Sequence, residues 1–294
     1  MTTPLLVTGA SGHLGRRVVE LLLERGAGPI IATTRNPDQL AGFAARGVDV
    51  RRADFEDDAS LATAFAGARR ALVISTDALD RPGRRIAQHR RAIAALERAG
   101  AEHVVYTSLI HPTDTPVILA PDHAATEAAL AASKLDWTIL RNSLYTDYLV
   151  PSLAAAVASG ALIDAKGASA TAYVTRDDCA RAAAAALAST ARGRTTLDVT
   201  GPEAITADQL AAIASEVTGV PVVHTSVPVP ALIEGMVGHG LPRPVAELLA
   251  SFDAAAALGQ YREVSRTVEQ LSGTRPTSVA SYLRAQRAAL LPAA

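Results

Sequence analysis

The first half of the chain alternates short apolar runs with longer segments of helical periodicity. Each run has about the length of a strand, is rich in Val, Ile, Leu and Thr, and is bounded by Gly, Asp, Asn or Pro, which favours strands over helices. The six runs are PLLVTG (4–9), PIIATT (29–34), VDVRRAD (48–54), RALVIST (70–76), EHVVYTS (102–108) and WTILRN (137–142). Strands that alternate with helices predict βαβ units and a mostly parallel sheet.

Two of the intervening segments show the helical pattern clearly. Apolar residues at positions 14, 18, 21 and 22 share one helix face, and DDASLATAFAG (57–67) begins with capping residues and ends in glycine. The segment DRPGRRIAQHRRA (80–92) carries a run of arginines on a predicted helix in which Ile86, Arg90, Ile93 and Leu96 repeat with helical spacing. We expect that arginine run to form a solvated helix face, with a phosphate or partner contact as the alternative.

After residue 145 the alternation loosens. Helices are predicted near 147–158, 179–189, 205–219, 229–238, 243–258 and 278–290, with short strands near 195–199 and 220–226. Thr206 provides the N-cap signal of the 205–219 helix. The pattern predicts an α/β, doubly wound parallel sheet over residues 1–149 and a smaller lobe formed mainly by residues 150–294, with about 170–200 returning to the first domain.

Composition excludes several classes of protein. The single cysteine, Cys179, excludes a disulfide framework and favours a reducing compartment. A net charge of −1 gives no global attraction to nucleic acid or anionic membranes, and no apolar run reaches the roughly 18–20 residues that span a bilayer. The N-terminal MTTPLLVTGASG lacks the basic start of a signal peptide. We therefore expect a cytoplasmic protein.

A glycine-rich turn follows the first predicted strand. VTGASGHLG (7–15) places Gly9, Gly12 and Gly15 between that strand and the next helix. Glycines at this joint let main-chain N–H groups approach a pyrophosphate at the helix N-terminus. The position within the first βα unit predicts a dinucleotide site; the alternative is a tight turn without a ligand.

The end of the second strand selects the cofactor. An acid in this region binds the ribose 2′-OH of NAD, whereas an arginine accommodates the 2′-phosphate of NADP. Here the sequence reads ATTRNP, with Arg35 and no carboxylate before Asp38. NADPH is therefore favoured over NADH, unless Arg35 is an exposed arginine that merely closes the strand.

Two further strand ends are candidate cofactor contacts. Asp54 and Phe55 follow the third strand and are expected near the adenine, and Ser75 and Thr76 end the fourth strand on the other side of the switch point. Ordinary turn chemistry is the alternative for each of them.

Several motifs together resemble the NmrA-like, atypical short-chain dehydrogenases. They are VTGASGHLG, ATTRNP, RRADFED, VVYTSLIH, DHAATE, ILRNSLYTDYL, YVTRDDCARAAA, GLPRPVAELLAS and LSGTRPTSV. Within that group the chain looks most like bacterial NAD(P)H:quinone oxidoreductases and triphenylmethane reductases, over nearly its whole length. The resemblance implies NADPH binding in a Rossmann-like domain and hydride transfer to a quinone or a similar planar acceptor.

The resemblance also implies roles for individual positions. The implied phosphate loop, 2′-phosphate contact, cofactor wall and nicotinamide end comprise Gly9, Ala10, Ser11, Gly12, His13, Leu14, Arg35, Ile74, Ser75, Thr76, Arg141, Asn142, Ser143 and Tyr145. Tyr145 is implied beside the acceptor, where it could stack or donate a hydrogen bond, and Ser108 and His111 could polarise an acceptor oxygen. Their plain alternatives are core packing for Tyr145, a strand-end cap for Ser108 and an exposed loop position for His111.

The sequence departs from typical short-chain dehydrogenases at their Tyr-x-x-x-Lys pair. That spacing is occupied by His123 and Glu127, and the chain's only lysines, Lys134 and Lys166, have leucine four residues earlier. As a pair, His123 and Glu127 could bind a metal, act as a general acid with its partner, or serve structurally at the start of a helix. No metal site is predicted from the rest of the chain.

The missing pair changes the expected chemistry. A positioned general acid contributes about 10²–10⁴-fold, which an isolated ketone needs. A quinone gains aromaticity on reduction and its reduced oxygens can take protons from solvent, so positioning can dominate. We therefore expect an NADPH-dependent oxidoreductase, with a possible homodimer. The alternatives are a non-catalytic NADP-sensing regulator and a tailoring reductase or isomerase of a polyketide-like substrate.

Overall fold

A seven-stranded parallel sheet forms the centre of the computed structural model, which describes residues 4–291. The strands are β1 (Leu5–Val7), β2 (Ile30–Thr34), β3 (Asp49–Arg52), β4 (Arg70–Val73), β5 (His103–Leu109), β6 (Asp136–Asn142), β7 (Ala161–Asp164), β8 (Ala170–Thr171), β9 (Arg194–Val199), β10 (Ile205–Thr206) and β11 (Val223–Ser226). The main sheet has the order β3-β2-β1-β4-β5-β6-β9, with every neighbouring pair parallel. The predicted doubly wound parallel sheet is confirmed.

The strand order reverses between β1 and β4. From β1 the chain builds outward through β2 to β3, and it then returns to place β4 on the other side of β1. Connections that leave in opposite directions open a crevice above the carboxyl ends of the two central strands. Gly9 and Ile74, which follow these strands, border that crevice.

Helices cover both faces of the sheet. They are α1 (His13–Glu24), α2 (Ala41–Ala44), α3 (Asp58–Phe65), α4 (Arg84–Arg98), α5 (Ala120–Ala132), α6 (Leu149–Ser159), α7 (Arg176–Ala188), α8 (Ala207–Thr218), α9 (Val229–Gly238), α10 (Arg243–Ala257), α11 (Thr267–Ser272), α12 (Val279–Ala285) and α13 (Arg287–Leu290). α1 and α7 pack on one face, and α3, α4 and α5 pack on the other. Short 3₁₀ turns occupy Pro37–Leu40 and Thr146–Tyr148.

Alternation along the strands divides the core into two layers. Val7, Leu72 and Leu140 belong to the α1–α7 layer, whereas their chain neighbours Leu6 and Val73 belong to the α3–α5 layer. Successive strand side chains point to opposite faces, so strands buried on both sides appear in the sequence as unbroken apolar runs. This explains why the first-half strands could be predicted from their composition.

Several elements after residue 148 form a second lobe with its own core. α6, α8, α12 and α13 pack together beside the parallel pair β7–β11, around buried residues that include Leu153, Leu210 and Leu283. A fourth cluster joins the β5–α5 loop to α10, where Ile110 and Val117 pack with the α10 residue Ala255. The lobe is therefore fastened to the sheet near the carboxyl end of β5.

The predicted domain limits fall near element boundaries. α6 begins at Leu149, and residues 176–199 supply α7 and β9 to the layers of the main sheet. The division into residues 1–149 and 150–294 stays a prediction. Residues 1–3 and 292–294, which these limits include, lie outside the described part of the chain.

The C-terminal helix, the end of β4 and one face of α4 differ from the sequence predictions. The single helix predicted at 278–290 is wrong, because it divides at Gln286 into α12 and α13. β4 ends at Val73, three residues earlier than predicted. In the arginine run, Arg85 is only 5% exposed, so this part of the predicted solvated face is wrong: α4 turns Arg85 and His89 inward.

The predicted N-cap at Thr206 is confirmed. Its hydroxyl accepts the N–H of Gln209, and the Gln209 side chain accepts the N–H of Thr206 in return. This reciprocal capping box fixes the start of α8. Within residues 4–291, no helix is long and apolar enough to cross a membrane.

Candidate active site

The glycine loop between β1 and α1 is a tight cradle of backbone atoms. Gly9 has φ +59°, a left-handed conformation that favours glycine, and its carbonyl accepts the N–H of Gly12 at 3.0 Å. A Cβ on Gly15 would collide with the Gly9 carbonyl oxygen and would lie 2.9 Å from Ala10 Cα. The loop and the first turn of α1 therefore require glycine for their close approach.

The N-terminus of α1 presents unpaired backbone donors to this cradle. The N-cap is Gly12, which supplies no side-chain acceptor, and the first turn from His13 contains no acidic residue. The first N–H groups of a helix have no intrahelical acceptors, and the helix dipole makes this end favourable for anions. Ser11, His13 and Leu14 thus border a site that fits a pyrophosphate.

The end of β2 lies against the same loop. Thr34 Oγ1 donates to Ser11 Oγ at 2.9 Å, so the strand end is joined to the glycine turn. Arg35 follows, exposed to solvent and without a hydrogen bond or ion pair to any other residue in the 4–291 range. Its guanidinium is available for a phosphate, and no carboxylate stands at that position for a ribose hydroxyl.

Asp54 and Phe55 have local partners. Asp54 Oδ1 accepts the N–H of Glu56 at 2.9 Å, and the Asp54 N–H donates to Ser60 Oγ at 3.0 Å. Phe55 packs edge-on against Phe65 with ring centroids 6.5 Å apart. These contacts account for the turn after β3, and an adenine contact at this place stays a prediction.

Immediately after β4, the backbone N–H groups donate to side chains and not to the backbone of a neighbouring strand. The N–H groups of Ile74, Ser75 and Thr76 donate to three different side chains, each at 3.0 Å. Their acceptors are Thr8 Oγ1, Thr107 Oγ1 and His89 Nε2. A Cβ on Gly9 would lie 3.8 Å from Ile74 Cβ. The segment is therefore fixed opposite the glycine loop, across the crevice.

Glu127 forms a charged cluster with β5 and β6. Arg141 donates to it twice, from Nε at 3.0 Å and from Nη2 at 2.6 Å, and the Ser108 hydroxyl donates to Oε1 at 2.6 Å. Its hydrogen bonds to the Glu127 carboxylate raise the pKa of the Arg141 guanidinium. Ser108 is buried and its proton is already donated, so in this arrangement it has no free donor for an acceptor oxygen.

His123 is enclosed between Arg85 and Tyr106. Its Nε2 accepts from Arg85 Nη2, and its Nδ1 lies 2.9 Å from the Tyr106 hydroxyl. Burial, with the charge of Arg85, lowers the pKa of His123 well below its ordinary value. A metal would have to displace Arg85, and no group of three or more His, Cys, Asp or Glu in residues 4–291 could hold a metal ion. A neutral, enclosed imidazole favours the structural interpretation over the general acid.

Tyr145 turns its hydroxyl inward. The hydroxyl oxygen accepts from Asn142 Nδ2 at 3.0 Å, and burial raises its pKa. Its ring stacks on Tyr148 with centroids 5.9 Å apart, and the Arg176 guanidinium lies 4.4 Å from the centre of the Tyr148 ring. Tyr148 is 66% exposed, so it offers the open aromatic surface in this corner.

The segment around Ser143 carries polar atoms without partners. Asn142 Oδ1, Ser143 Oγ and Thr146 Oγ1 are buried and form no hydrogen bond with the described residues. Such atoms are rare in folded proteins, and their concentration after β6 is consistent with a site for a polar ligand. His111, in the β5–α5 loop, is exposed with φ +51°.

A separate groove of about 280 Å³ lies on the α5 side of β6 and β9. Its lining is Pro112, Thr113, Ala124, Glu127, Ala128, Ala131, Trp137, Ile139, Arg141 and Thr196. Of the predicted cofactor positions it contains only Arg141. The glycine loop and the end of β4 border the crevice above β1 and β4. They do not line this groove.

Comparison with known proteins agrees with this geometry. A family described as NAD(P)H-binding matches residues 9–190. The chain is 35% identical over 275 residues to quinone oxidoreductase 2 of Escherichia coli K12, which covers 93% of this chain and 95% of that protein.

Two solved structures share the whole fold. The NADPH-dependent quinone oxidoreductase of Escherichia coli, complexed with NADPH, superposes with a TM-score of 0.91 at 34% identity, covering 96% of this chain and 99% of the other. The triphenylmethane reductase of Citrobacter sp., complexed with NADP(H), gives 0.89 at 35% identity and the same coverage. The predicted resemblance to these oxidoreductases is confirmed, and the chain belongs to the NAD(P)H-binding family.

Proposed function

We propose that this protein is an NADPH-dependent oxidoreductase that reduces a quinone or a similar planar, electron-poor acceptor. The observation that carries the proposal is the glycine cradle at the uncapped N-terminus of α1, with the free guanidinium of Arg35 beside it. The similarity to a quinone oxidoreductase and a triphenylmethane reductase over nearly the full length supports the acceptor class.

Different residues of the chain bind different parts of NADPH. Backbone N–H groups of residues 9–14 hold the pyrophosphate, and Arg35 holds the 2′-phosphate. Residues 74–76 pack along the cofactor, and residues 141–145 line its nicotinamide end. When bound, the cofactor supplies the hydride. The protein contributes the shape and polarity of the crevice above β1 and β4.

No enclosed acid is needed for this chemistry. His123 and Glu127 are both engaged by neighbouring side chains, so neither is free to deliver a proton to an acceptor in the crevice. Protons for the reduced quinone oxygens come from solvent, and catalysis consists mainly of holding acceptor and cofactor together. Tyr145, Ser108 and His111 stay predictions as acceptor contacts; among these three, His111 has the exposed side chain.

The direct test follows NADPH oxidation by absorbance with benzoquinones, naphthoquinones and triarylmethane dyes. We expect NADPH oxidation that depends on the acceptor and that saturates with both NADPH and the acceptor. Saturable NADPH binding without oxidation would identify a dinucleotide-sensing regulator instead. Oxidation with polyketide-like ketones alone would identify a tailoring reductase.

The assembly and location remain predictions of the same proposal. A homodimer is tested by sedimentation equilibrium, and a cytoplasmic location by fractionation of the producing cell. Neither result changes the expected chemistry, because every residue invoked above lies in one chain.

A further inference from the structure

Three residues of α5, His123, Thr126 and Glu127, contact α4 and the main sheet. Their side-chain partners are Arg85 and Tyr106 for His123, His89 for Thr126, and Ser108 and Arg141 for Glu127. The H-x-x-T-E sequence therefore connects one helix to α4, β5 and β6. Thr126 is the member whose connection leads toward the crevice.

The connection through Thr126 has a defined direction. The Thr126 hydroxyl donates to the carbonyl of Asp122 at 2.7 Å, so toward His89 Nδ1, 2.8 Å away, it acts as the acceptor. At the other side of the ring, His89 Nε2 lies 3.0 Å from the N–H of Thr76. A backbone N–H can only donate, so Nε2 must be unprotonated and Nδ1 must carry the proton.

The enclosure of His89 preserves this arrangement over the physiological pH range. His89 and Thr126 are fully buried. Burial, followed by the charge of Arg85, lowers the pKa of His89 to about 3. The facing charged groups include Asp122, whose carboxylate lies 3.8 Å from the Arg85 guanidinium. An imidazolium could not accept the N–H of Thr76, so a neutral ring is necessary for the contact.

The N–H of Thr76 lies where the main-chain ladder is missing. β4 pairs with β1 and β5 only up to Val73, and the next three N–H groups depend on side chains. Thr8, which follows β1, and Thr107, in β5, accept from the N–H groups of Ile74 and Ser75. Thr76 is held from the helix layer instead. Its position therefore depends on the ring orientation and tautomer of a histidine, which Thr126 determines.

We propose that Thr126 and His89 are positioning residues that hold the backbone of Thr76 in the conformation required to bind NADPH. The inference rests on the proposed function, since it assigns the β4 end to the cofactor wall. Neither Thr126 nor His89 contacts the glycine loop, and neither is assigned a contact with a phosphate. It also gives the H-x-x-T-E sequence a role other than proton transfer.

The experiment removes one hydroxyl and preserves the shape of its side chain. Thr126→Val leaves the His89 Nδ1 proton without an acceptor, so the ring loses the constraint that presents Nε2 to Thr76. We expect the Kd for NADPH, measured by fluorescence titration, to rise about tenfold, and hydrogen exchange at the Thr76 amide to accelerate more than exchange at Val73. Thr126→Ser retains the hydroxyl and is expected to restore both values.

Thr63→Val is the matched control. Thr63 donates to the carbonyl of Ala59, four residues earlier, in the same way, but it is exposed on α3 and contacts no histidine. We expect this variant to leave the Kd for NADPH and the exchange of Thr76 unchanged. A rise in Kd equal to that of Thr126→Val would overturn the inference, because loss of a helix back-bond would then suffice.

The wild-type protein provides a test without substitution. Nitrogen-15 NMR of the imidazoles should show His89 protonated at Nδ1, and a proton on Nε2 would overturn the inference. If the wild-type protein and the Thr126→Val variant bind NADPH equally well, this inference is overturned, whereas the proposed function is not. Wild-type protein that binds no NADPH would overturn the proposed function, and with it the cofactor role of Thr76.

Discussion

At the scale of single residues, Glu127 shows how partners decide chemistry. Its spacing from His123 places both on one helical stretch, which left metal binding, acid catalysis and structure as alternatives. In the structure, Glu127 accepts two hydrogen bonds from Arg141 and one from Ser108, whereas His123 turns to Arg85. The sequence contains the spacing but not the partners, because these come from β5, β6 and α4. The pair is best explained as part of the scaffold.

Glu127→Gln tests that explanation. We expect the free energy of unfolding in urea to fall by roughly 1–3 kcal/mol, since Arg141 loses its charged bidentate partner in a mostly buried place. Turnover with a quinone should remain close to that of the wild type. Glu20→Gln, on a surface pair with Arg17, is the control and should change stability by less than about 0.5 kcal/mol. A hundredfold loss of turnover with unchanged NADPH binding would return the pair to the mechanism.

Arg35 tests the choice of cofactor. Arg35→Ala should raise the Kd for NADPH by about 10–100-fold and leave the Kd for NADH nearly unchanged, because only NADPH carries the 2′-phosphate. Isothermal titration with both cofactors measures the difference. Arg25→Ala, an exposed arginine at the far end of α1, should affect neither. Equal weakening for both cofactors would mean that Arg35 contacts a group they share.

At the scale of elements, apolar pattern predicted strands better than it predicted α4. Of the residues that repeat with helical spacing in that helix, Ile93 and Leu96 are buried, whereas Arg90 is exposed. The structure also buries Arg85 and His89, which the pattern did not indicate. Polar residues on a buried face are invisible to hydrophobic periodicity, since their burial depends on hydrogen bonds from other elements. The 3₁₀ turn Thr146–Tyr148 was likewise not predicted, although it brings the rings of Tyr145 and Tyr148 together.

The joint between β1 and α1 can be tested with Gly15→Ala. The added Cβ would collide with the Gly9 carbonyl, so the helix must move away from the loop. We expect a loss of about 1–3 kcal/mol in the free energy of unfolding, together with weaker NADPH binding. Gly42→Ala, in α2, should be neutral or slightly stabilising, because the added Cβ would come within 4 Å of no atom outside its own helix backbone. If the two variants changed the thermal unfolding temperature equally, the close contact between α1 and the glycine loop would be contradicted.

At the scale of the whole molecule, the sequence predicted the sheet more fully than the lobe. Parallel strands buried on both faces carry a strong local signal, and the glycine turn marks the first βα unit. The lobe combines two-residue strands with helices such as α9, none of whose residues is buried. Their arrangement depends on contacts between distant segments. The crevice, likewise, is defined only when β1 and β4 are placed side by side.

Buried histidines predict how stability changes with pH. Burial lowers the pKa of His89 to about 3 and that of His103 to about 4, and it lowers the pKa of His123 well below its ordinary value. The unfolded chain takes up these protons near pH 6.5, whereas the folded chain does not, so stability falls as the pH drops from 6.5 toward 4. Each histidine contributes up to about 1.4 kcal/mol per pH unit. Hydrogen bonds to Asp164 and Asp208 raise the pKa of His224 despite its burial, so its contribution has the opposite sign and is lost as the pH rises.

Urea unfolding at a series of pH values measures this slope. His103→Asn removes one titrating group far from the crevice, where His103 contacts Thr138. Its slope between pH 6.5 and 4 should be smaller than that of the wild type. An unchanged slope would contradict a neutral, buried His103.

Hydride transfer from NADPH to a quinone is the reaction that we propose for this chain. The most direct measurement mixes the NADPH-loaded protein with a naphthoquinone and follows a single turnover, using NADPH deuterated in turn on each face of the nicotinamide ring. We expect rapid oxidation of NADPH in proportion to the amount of enzyme, slowed by deuterium on one face only. Oxidation no faster than in buffer, or equally sensitive to both labels, would contradict it.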